Sequence, residues 1–177
     1  MKKTVSVLLA GFGGQGILFA GKVLASAGLL TGKKVSWLPS YGPEMRGGTA
    51  NCGVVLSDTE IGSPLVLHPD YLVVMNEPSF ERFEPMTAKG GKLIADSSLV
   101  VGHSKRPDIT ESRVDATRLA QENHLCGLAN IIMLGRLIRE SGILSVSAVQ
   151  KALAACIPAA KKALLAGNLA ALELGCR

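Results

Sequence analysis

Aromatic side chains are scarce in this sequence: they make up 4% of the 177 residues, whereas hydrophobic residues as a whole make up 47%. Charged residues account for 19%, and this balance excludes a disordered chain. The length suits one hydrophobic core, so we expect a single domain over residues 1–177. A chain this apolar with so few aromatic anchors often covers part of its surface with a partner, which points to a subunit of an assembly. Self-association of the isolated chain through that surface is left open.

Cysteine is also sparse, and it is poorly spaced for metal binding. The sequence has four cysteines: Cys52, Cys126, Cys156 and Cys176. None belongs to a Cys-x-x-Cys pair, although zinc sites and iron–sulfur clusters need closely spaced thiolates. The chain by itself is therefore predicted to hold no metal ion and no cluster. Small or apolar neighbours surround each cysteine, which predicts that all four are buried as small hydrophobic side chains.

Long runs of positive charge and long apolar runs are both missing. The net charge is +5, but no basic run exceeds two residues, so we expect no nucleic-acid partner. The charge favours either an anionic partner, such as a phosphate-bearing cofactor or an acidic subunit, or simply a solvated basic surface. The first apolar run, Val5–Ala10, is too short for a signal peptide or a membrane span. The resulting expectation is a cytoplasmic location with no membrane partner.

What is present begins with a strand, a glycine loop and a helix. The hydrophobic pattern predicts a buried strand at Val5–Ala10, a helix at Ile17–Leu30 and a second strand at Val35–Leu38, and Gly32 is well placed to end the helix. We expect this unit to start a Rossmann-like, three-layer α/β/α fold with a mostly parallel or mixed sheet and a helical C-terminal third. Further strands are predicted at residues 49–56, 71–76, 92–96 and 113–116, and helices at residues 79–83, 116–124, 128–140, 146–156, 158–165 and 168–174. Gly167 lies between the last two of these helices and is predicted to mark a helix end.

The first loop, Gly11–Gly16, matches the pattern Gly-x-Gly-x-x-Gly between a strand and a helix. Glycines allow a tight turn and a close approach of the backbone to a ligand, and the N–H groups that open the helix attract an anion. The candidate ligand- or partner-binding residues of this loop are Gly11, Gly13, Gly14, Gln15 and Gly16. The alternative is that these glycines only let the helix pack closely on the strand.

The acidic residue of a dinucleotide site is missing. A nicotinamide dinucleotide domain carries Asp or Glu at the end of its second strand, where the carboxylate binds the ribose hydroxyls. In this sequence the region Val35–Pro39 contains no acid. The pattern therefore speaks against NAD, and NADP, which needs a basic residue beyond that strand, is no better supported.

A second glycine-containing loop follows the second strand. It combines hydroxyl, phenol, carboxylate and guanidinium groups, and we expect both loops to leave the carboxyl ends of adjacent strands, where a parallel sheet has its binding crevice. Arg46 can present a planar fork to a phosphate or carboxylate, or it can pair with Glu44 as scaffolding. The candidate ligand- or partner-binding residues of this loop are Ser40, Tyr41, Gly42, Pro43, Glu44, Arg46, Gly47 and Gly48.

No self-contained catalytic group of residues is recognisable. His68, His103 and His124 are each isolated from the nucleophiles and acids that a catalytic histidine needs. Glu77 follows a strand and could reach the crevice, but we expect it to cap the short helix after it. No catalytic residue is predicted, and the isolated chain is expected to be inactive.

The two loops together resemble those of the gamma subunits of 2-oxoacid:ferredoxin (or acceptor) oxidoreductases. The resemblance rests on Gly11–Gly16 followed by Pro39–Gly48, and it continues through Asn130, Leu134-Gly135 and Asn168. It covers essentially the whole chain. Either loop alone would be a weak signal, whereas the pair in this order is specific.

This resemblance implies a subunit of an enzyme that decarboxylates a 2-oxoacid oxidatively to an acyl-coenzyme A and passes the electrons to ferredoxin or a similar acceptor. Thiamine diphosphate and magnesium would lie between the alpha and beta subunits, and iron–sulfur clusters in beta or in a small delta subunit. The gamma chain would pack on these subunits near the entry of coenzyme A and would bind none of these cofactors alone. The implied substrate is 2-oxoglutarate, with pyruvate, branched-chain oxoacids and indolepyruvate left open.

Two other interpretations remain. One is a stand-alone nucleotide-binding oxidoreductase of Rossmann type, against which the missing strand-end acid is the main objection. The other is a small anion-binding regulatory module without an oxidoreductase partner.

Overall fold

The computed structural model describes residues 4–40 and 49–177, and within them the chain forms a six-stranded sheet with helices on both faces. The strands are β1 (Thr4–Phe12), β2 (Lys34–Ser40), β3 (Thr49–Ser57), β4 (Tyr71–Val74), β5 (Lys92–Asp96) and β6 (Thr110–Val114). The α-helices are α1 (Ile17–Leu30), α2 (Glu77–Phe83), α3 (Ala116–Glu122), α4 (Ala129–Ser141), α5 (Val146–Cys156) and α6 (Leu164–Gly175). The predicted α/β class and the helical C-terminal third are confirmed.

The sheet is mixed, with the order β2-β3-β1-β4-β5-β6. β1, β4, β5 and β6 are parallel, whereas β3 pairs antiparallel with both β2 and β1. The prediction that the first two strands are adjacent is therefore wrong, because β3 lies between them. β3 is almost entirely buried, as a central strand must be. β2 carries Lys34 and Pro39 and is half exposed, and a proline suits an edge strand because it cannot donate to a neighbour.

Alternate residues along the strands supply two separate cores, one on each face of the sheet. Val7 and Leu9 of β1 face the larger core, which is filled by α1 and the helices from α3 to α6. Leu8 and Ala10 face the smaller core, where Phe80 of α2 covers them. The three layers are thus present, and in the part of the chain that the structure describes the second outer layer consists of α2 and the 3-10 turn at Glu84–Met86.

Two glycines let α1 lie close to the sheet. A Cβ atom on Gly21 would lie 2.4 Å from Cys52 Sγ, and one on Gly28 would lie 2.5 Å from Leu56 Cδ2. The helix ends as predicted at Gly32, which has a φ of 79°. These contacts fix α1 against β3, with its first turn at the carboxyl end of β1.

Several predicted boundaries move. β1 extends to Phe12 because it pairs with β3 as far as Thr49. The predicted helix end at Gly167 is wrong: Gly167 lies inside α6, and only a 3-10 turn at Ala159–Lys161 precedes that helix. The last strand, β6, starts earlier than predicted because it follows the register of β5. No helix in the two described stretches has both the length and the hydropathy needed to cross a lipid bilayer.

Candidate functional site

Both predicted loops start at the same edge of the sheet. β1 ends at Phe12 and β2 ends at Ser40, and the two strands run in the same direction. They are not neighbours, but β3 connects them: Thr49, which follows the second loop, pairs with Phe12, and Asn51 pairs with Ser40. The structure therefore brings the two ends of the second loop to the edge where the first loop leaves the sheet.

Only one candidate residue of the second loop lies among the described residues. Ser40 is the exposed last residue of β2. The others lie outside the described residues: Tyr41, Gly42, Pro43, Glu44, Arg46, Gly47 and Gly48. The role of Arg46 as a fork for an anion, and the alternative pair with Glu44, stay predictions.

The first loop places the start of α1 at this edge. Gly14 and Gly16 have φ angles of 97° and 74°, which glycine adopts without steric cost. Gly16 is the N-cap residue of α1; among the described residues no side chain caps the helix, and its first turn contains no acidic residue. Because the first N–H groups of a helix lack partners within the helix, this turn can receive an anion.

Gln15 holds the loop closed from within. Its Oε1 accepts a hydrogen bond from the Phe12 backbone N–H at 2.6 Å, and its Nε2 donates to the Met75 carbonyl at 2.9 Å. Both ends of the amide are thus engaged inside the chain, and Gln15 ties the end of β1 to the end of β4. This arrangement gives Gln15 a supporting role, whereas the sequence suggested only a donor and an acceptor for a ligand.

The remaining two glycines of the first loop, Gly11 and Gly13, differ in their surroundings. Gly11 is buried, and a Cβ atom there would lie 2.6 Å from Gln15 Oε1 and 2.8 Å from Ile17 Cδ1. Gly11 therefore leaves the space that Gln15 fills, which supports the packing interpretation at this position. Gly13 is exposed at the tip of the loop, where its backbone faces solvent.

One contact to this loop could not be predicted from the sequence. Asn130, at the start of α4, donates from Nδ2 to the Gly16 carbonyl over 2.9 Å. The two residues are 114 positions apart in the chain, and no local pattern connects them. The available signals were a polar residue before the apolar run of α4 and the place of Asn130 in the family resemblance, and neither names Gly16 as its partner.

Three cavities border the first loop. One, of about 240 Å³, is lined by Phe12, Gly13, Phe19 and Ala50 among others. The second, of about 270 Å³, lies between Gly14 and α3. The third, of about 410 Å³, lies between the starts of α1 and α6. A separate cavity of about 410 Å³ opens at the opposite edge, where β4, β5 and β6 begin. In open α/β sheets ligands bind outside the carboxyl ends of the strands, so the glycine-loop edge is the candidate site.

Two carboxylates at this edge have structural partners. Glu77 accepts from the backbone N–H groups of Val101 at 2.6 Å and Gly102 at 3.0 Å. The expectation that it caps α2 is wrong, because Asn76 Oδ1 accepts from Ser79 N and caps that helix. Asp96, at the end of β5, is fully buried. It accepts from Thr117 Oγ1 at 2.6 Å and from the backbone N–H that opens α3.

The cysteines are less uniform than predicted. Cys52 is buried, and burial raises the pKa of its thiol to about 12, so it stays protonated and is a poor nucleophile. Cys156 and Cys176 are half-buried, but Cys126 is exposed beside the 270 Å³ cavity, so the prediction of four buried cysteines is wrong. The apolar leucines beside Cys126 misled the prediction, because they lie in a surface turn between α3 and α4. Across residues 4–40 and 49–177, no three His, Cys, Asp or Glu side chains group closely enough to hold a metal ion.

Curated relatives match the chain in two ways. A 2-oxoglutarate synthase subunit, KorC, of Methanocaldococcus jannaschii is 38% identical over 162 residues, covering 89% of this chain and 86% of KorC. A ketoisovalerate oxidoreductase subunit, VorA, of Methanothermobacter marburgensis is 43% identical over 133 residues, covering 75% of this chain but only 28% of VorA. The chain thus spans about a quarter of the length of VorA and most of the length of KorC.

Solved structures share the whole fold. The gamma subunit of a keto/oxoacid ferredoxin oxidoreductase from Geobacter sulfurreducens has a TM-score of 0.84 at 27% identity, covering 97% of this chain and 95% of that one. A 2-oxoglutarate:ferredoxin oxidoreductase from Magnetococcus marinus, solved with 2-oxoglutarate, coenzyme A and succinyl-CoA, has a TM-score of 0.87 at 22% identity. The match covers 99% of this chain and 31% of the Magnetococcus chain, so the same fold recurs within a longer polypeptide.

The fold and the site define an α/β chain of the kind found as a gamma subunit, with a glycine loop and a helix start at one sheet edge. The model of the pyruvate ferredoxin/flavodoxin oxidoreductase family matches residues 6–177. The chain belongs to that family.

Proposed function

We propose that this chain is the gamma subunit of a multi-subunit 2-oxoacid:ferredoxin oxidoreductase whose substrate is 2-oxoglutarate. The observation that carries the proposal is the length-matched similarity to KorC, since KorC and this chain cover each other almost completely. The reaction is the oxidative decarboxylation of the 2-oxoacid to an acyl-coenzyme A, with the electrons passed to ferredoxin or a similar acceptor. The proposed location of the assembly is the cytoplasm.

The chemistry of the assembly is divided among its chains. Alpha and beta subunits hold thiamine diphosphate and magnesium, and beta or a small delta subunit holds the iron–sulfur clusters. This chain contributes a surface for the partner subunits and an anion-binding edge near coenzyme A. The first turn of α1, which starts at Gly16 without an acidic residue, suits a phosphate group of coenzyme A.

A stand-alone dinucleotide enzyme is the weaker proposal. In a dinucleotide-binding fold the second strand lies beside the first, so that its terminal acid reaches the ribose. Here β3 separates β2 from β1, and β2 ends in Ser40 without an acid. Neither the position nor the chemistry of a ribose-binding carboxylate is present among these residues.

The test is reconstitution. We would co-express the chain with alpha and beta chains from the same organism and measure coenzyme A-dependent reduction of ferredoxin. We expect stable co-purification and a higher kcat/KM for 2-oxoglutarate than for pyruvate or 2-oxoisovalerate. Full activity of the complex without this chain would contradict the proposal, and so would tight binding of NADH or NADPH to the chain alone.

The same assay tests the second loop. In the reconstituted complex Arg46→Ala should weaken assembly or coenzyme A use, while the chain stays folded, because surface-loop changes usually alter stability by no more than about 0.5 kcal/mol. Unchanged kinetics and subunit stoichiometry would return Arg46 to a scaffolding role.

A further inference from the structure

Two buried asparagines on neighbouring helices share an unusual environment. Asn130 on α4 is 4% exposed and Asn168 on α6 is 3% exposed. In each, Nδ2 donates to a backbone carbonyl while Oδ1 is buried without a hydrogen-bond partner among the described residues. A buried acceptor without a partner destabilises the folded state, so neither side chain is explained by stability alone.

The two asparagines differ in what they hold. Asn168 donates to Leu164, four residues earlier in its own helix, over 2.8 Å. Asn130 donates to Gly16, at the start of α1, over 2.9 Å. Both side chains border the cavity of about 410 Å³ between the starts of α1 and α6, and only Asn130 extends its hydrogen bond to the glycine loop.

The amide of Asn130 leaves no room for a side chain on Gly16. A Cβ atom on Gly16 would lie 2.4 Å from Asn130 Nδ2, well inside van der Waals contact. Gly16 also needs its positive φ of 74°, which an L side chain rarely adopts. The amide of Asn130 therefore occupies the space that the missing side chain of Gly16 leaves.

This hydrogen bond orients the first donor of α1. The Gly16 carbonyl belongs to the same planar peptide group as the Ile17 N–H, and in a trans peptide the two point in opposite directions. Ile17 is the first residue of α1, so its N–H is one of the donors without a partner in the helix. By holding the Gly16 oxygen, which also accepts from Ala20 N at 3.0 Å, Asn130 sets the direction of the Ile17 N–H.

We propose that Asn130 is a positioning residue: through the Gly16 carbonyl it holds the opening turn of α1 in the orientation that coenzyme A use by the complex requires. This inference rests on the proposed function, in which that turn receives a phosphate of coenzyme A. The supporting observation is the contact that Asn168 lacks: Asn130 Nδ2 donates to the Gly16 carbonyl, whereas Asn168 donates within its own helix.

The experiment compares Asn130→Ala with Asn168→Ala in the reconstituted complex. Each variant removes one buried asparagine with one unpaired oxygen beside the same cavity, so Asn168→Ala is the matched control. We expect Asn130→Ala to raise the KM for coenzyme A about tenfold, the effect of one lost hydrogen bond, with kcat and the KM for the 2-oxoacid within about twofold of wild type. Asn168→Ala should leave all three constants within about twofold.

A second measurement reads the loop directly. The Ala20 amide, which donates to the Gly16 carbonyl at 3.0 Å, should exchange its hydrogen faster in Asn130→Ala but not in Asn168→Ala. Asn130→Leu, which keeps about the same size without the donor and adds no charge, should behave as Asn130→Ala does.

The outcomes separate the two proposals. A wild-type complex that needs no coenzyme A would overturn the proposed function and this inference with it. A coenzyme A-dependent complex in which Asn130→Ala leaves the KM for coenzyme A unchanged, or in which both alanine variants raise it equally, would overturn the positioning role alone.

Discussion

Gln15 illustrates how a loop residue can be read in two ways. In the sequence it adds a donor and an acceptor to a glycine loop, and both are free to meet a ligand. In the structure both are used: Phe12 N–H donates to its Oε1, and its Nε2 donates to the Met75 carbonyl. The residue thus shapes the loop, and the ligand contacts that we propose are left to the backbone around Gly13 and to the start of α1.

Gln15→Glu tests this support. A carboxylate can still accept from Phe12 N–H, but it cannot donate to the Met75 carbonyl and repels it. We expect the free energy of unfolding at neutral pH to fall by about 1–2 kcal/mol, measured by urea denaturation. Gln121→Glu is the control, because Gln121 is exposed on α3 and lines the same 270 Å³ cavity as Gln15. It should change the free energy of unfolding by less than about 0.5 kcal/mol. Equal effects of the two variants would show that charge, and not the lost donor, destabilises the loop.

At the scale of elements, glycines set the distance between α4 and α6. A Cβ atom on Gly135 would lie 2.3 Å from the Leu172 carbonyl oxygen, and one on Gly175 would lie 2.0 Å from the Ile132 carbonyl oxygen. The two helix backbones are therefore in direct contact at these points. Gly167, in the same helix as Gly175, would meet only ordinary side-chain contacts at 3.4 Å or more.

This contrast predicts opposite effects of the same substitution. Gly135→Ala forces α4 and α6 apart, and we expect it to lower the free energy of unfolding by about 2–3 kcal/mol. Gly167→Ala lies inside α6 with room for a methyl group, and we expect a gain of about 0.5–1 kcal/mol from helix propensity. Thermal and urea unfolding of the two variants measure both. Destabilisation by Gly167→Ala would mean that one helix ends at Gly167 and another follows it, as the sequence predicted.

At the scale of the whole molecule, Glu140 connects three elements that lie far apart in the sequence. It accepts from Lys92 of β5 at 2.9 Å, from Ser112 of β6 and from Arg136 of its own helix, α4. Burial raises the pKa of the Glu140 carboxyl, but the hydrogen bonds from Ser112 and Lys92 and the nearby positive charges outweigh burial and leave the pKa below its ordinary value of 4.5. The ionised carboxylate thus stabilises the folded edge of the sheet.

Glu140→Gln should therefore lower stability in a pH-dependent way. The pKa of Glu140 is lower in the folded than in the unfolded chain. The stabilisation is therefore complete above about pH 4.5, and it is lost as the pH falls through the pKa of the folded chain. We expect the variant to be about 1–2 kcal/mol less stable than wild type at pH 7, and the difference to vanish in acid. Urea denaturation across this pH range measures it, and a constant difference at every pH would exclude the ion pairs as its source.

Much of the fold followed from local patterns. α1 and α5 begin and end where the sequence predicted, because their apolar periodicity and end signals are local. The strand order did not follow, because the sequence of β3 does not say which neighbour it joins. Its pairing with both β1 and β2 places it between them. Gly167 was predicted to end a helix because glycine is common at that position, but the structure places it inside α6.

The sequence by itself determined the class of fold, the family and the presence of a glycine loop before α1, because these depend on residue types in a fixed order along the chain. Tertiary structure alone decided how that loop is held. Gly16 meets Asn130 from 114 residues away, and Gln15 meets Met75 from 60 residues away. Such contacts arise when distant elements pack on one sheet, and no pattern within a single element encodes them.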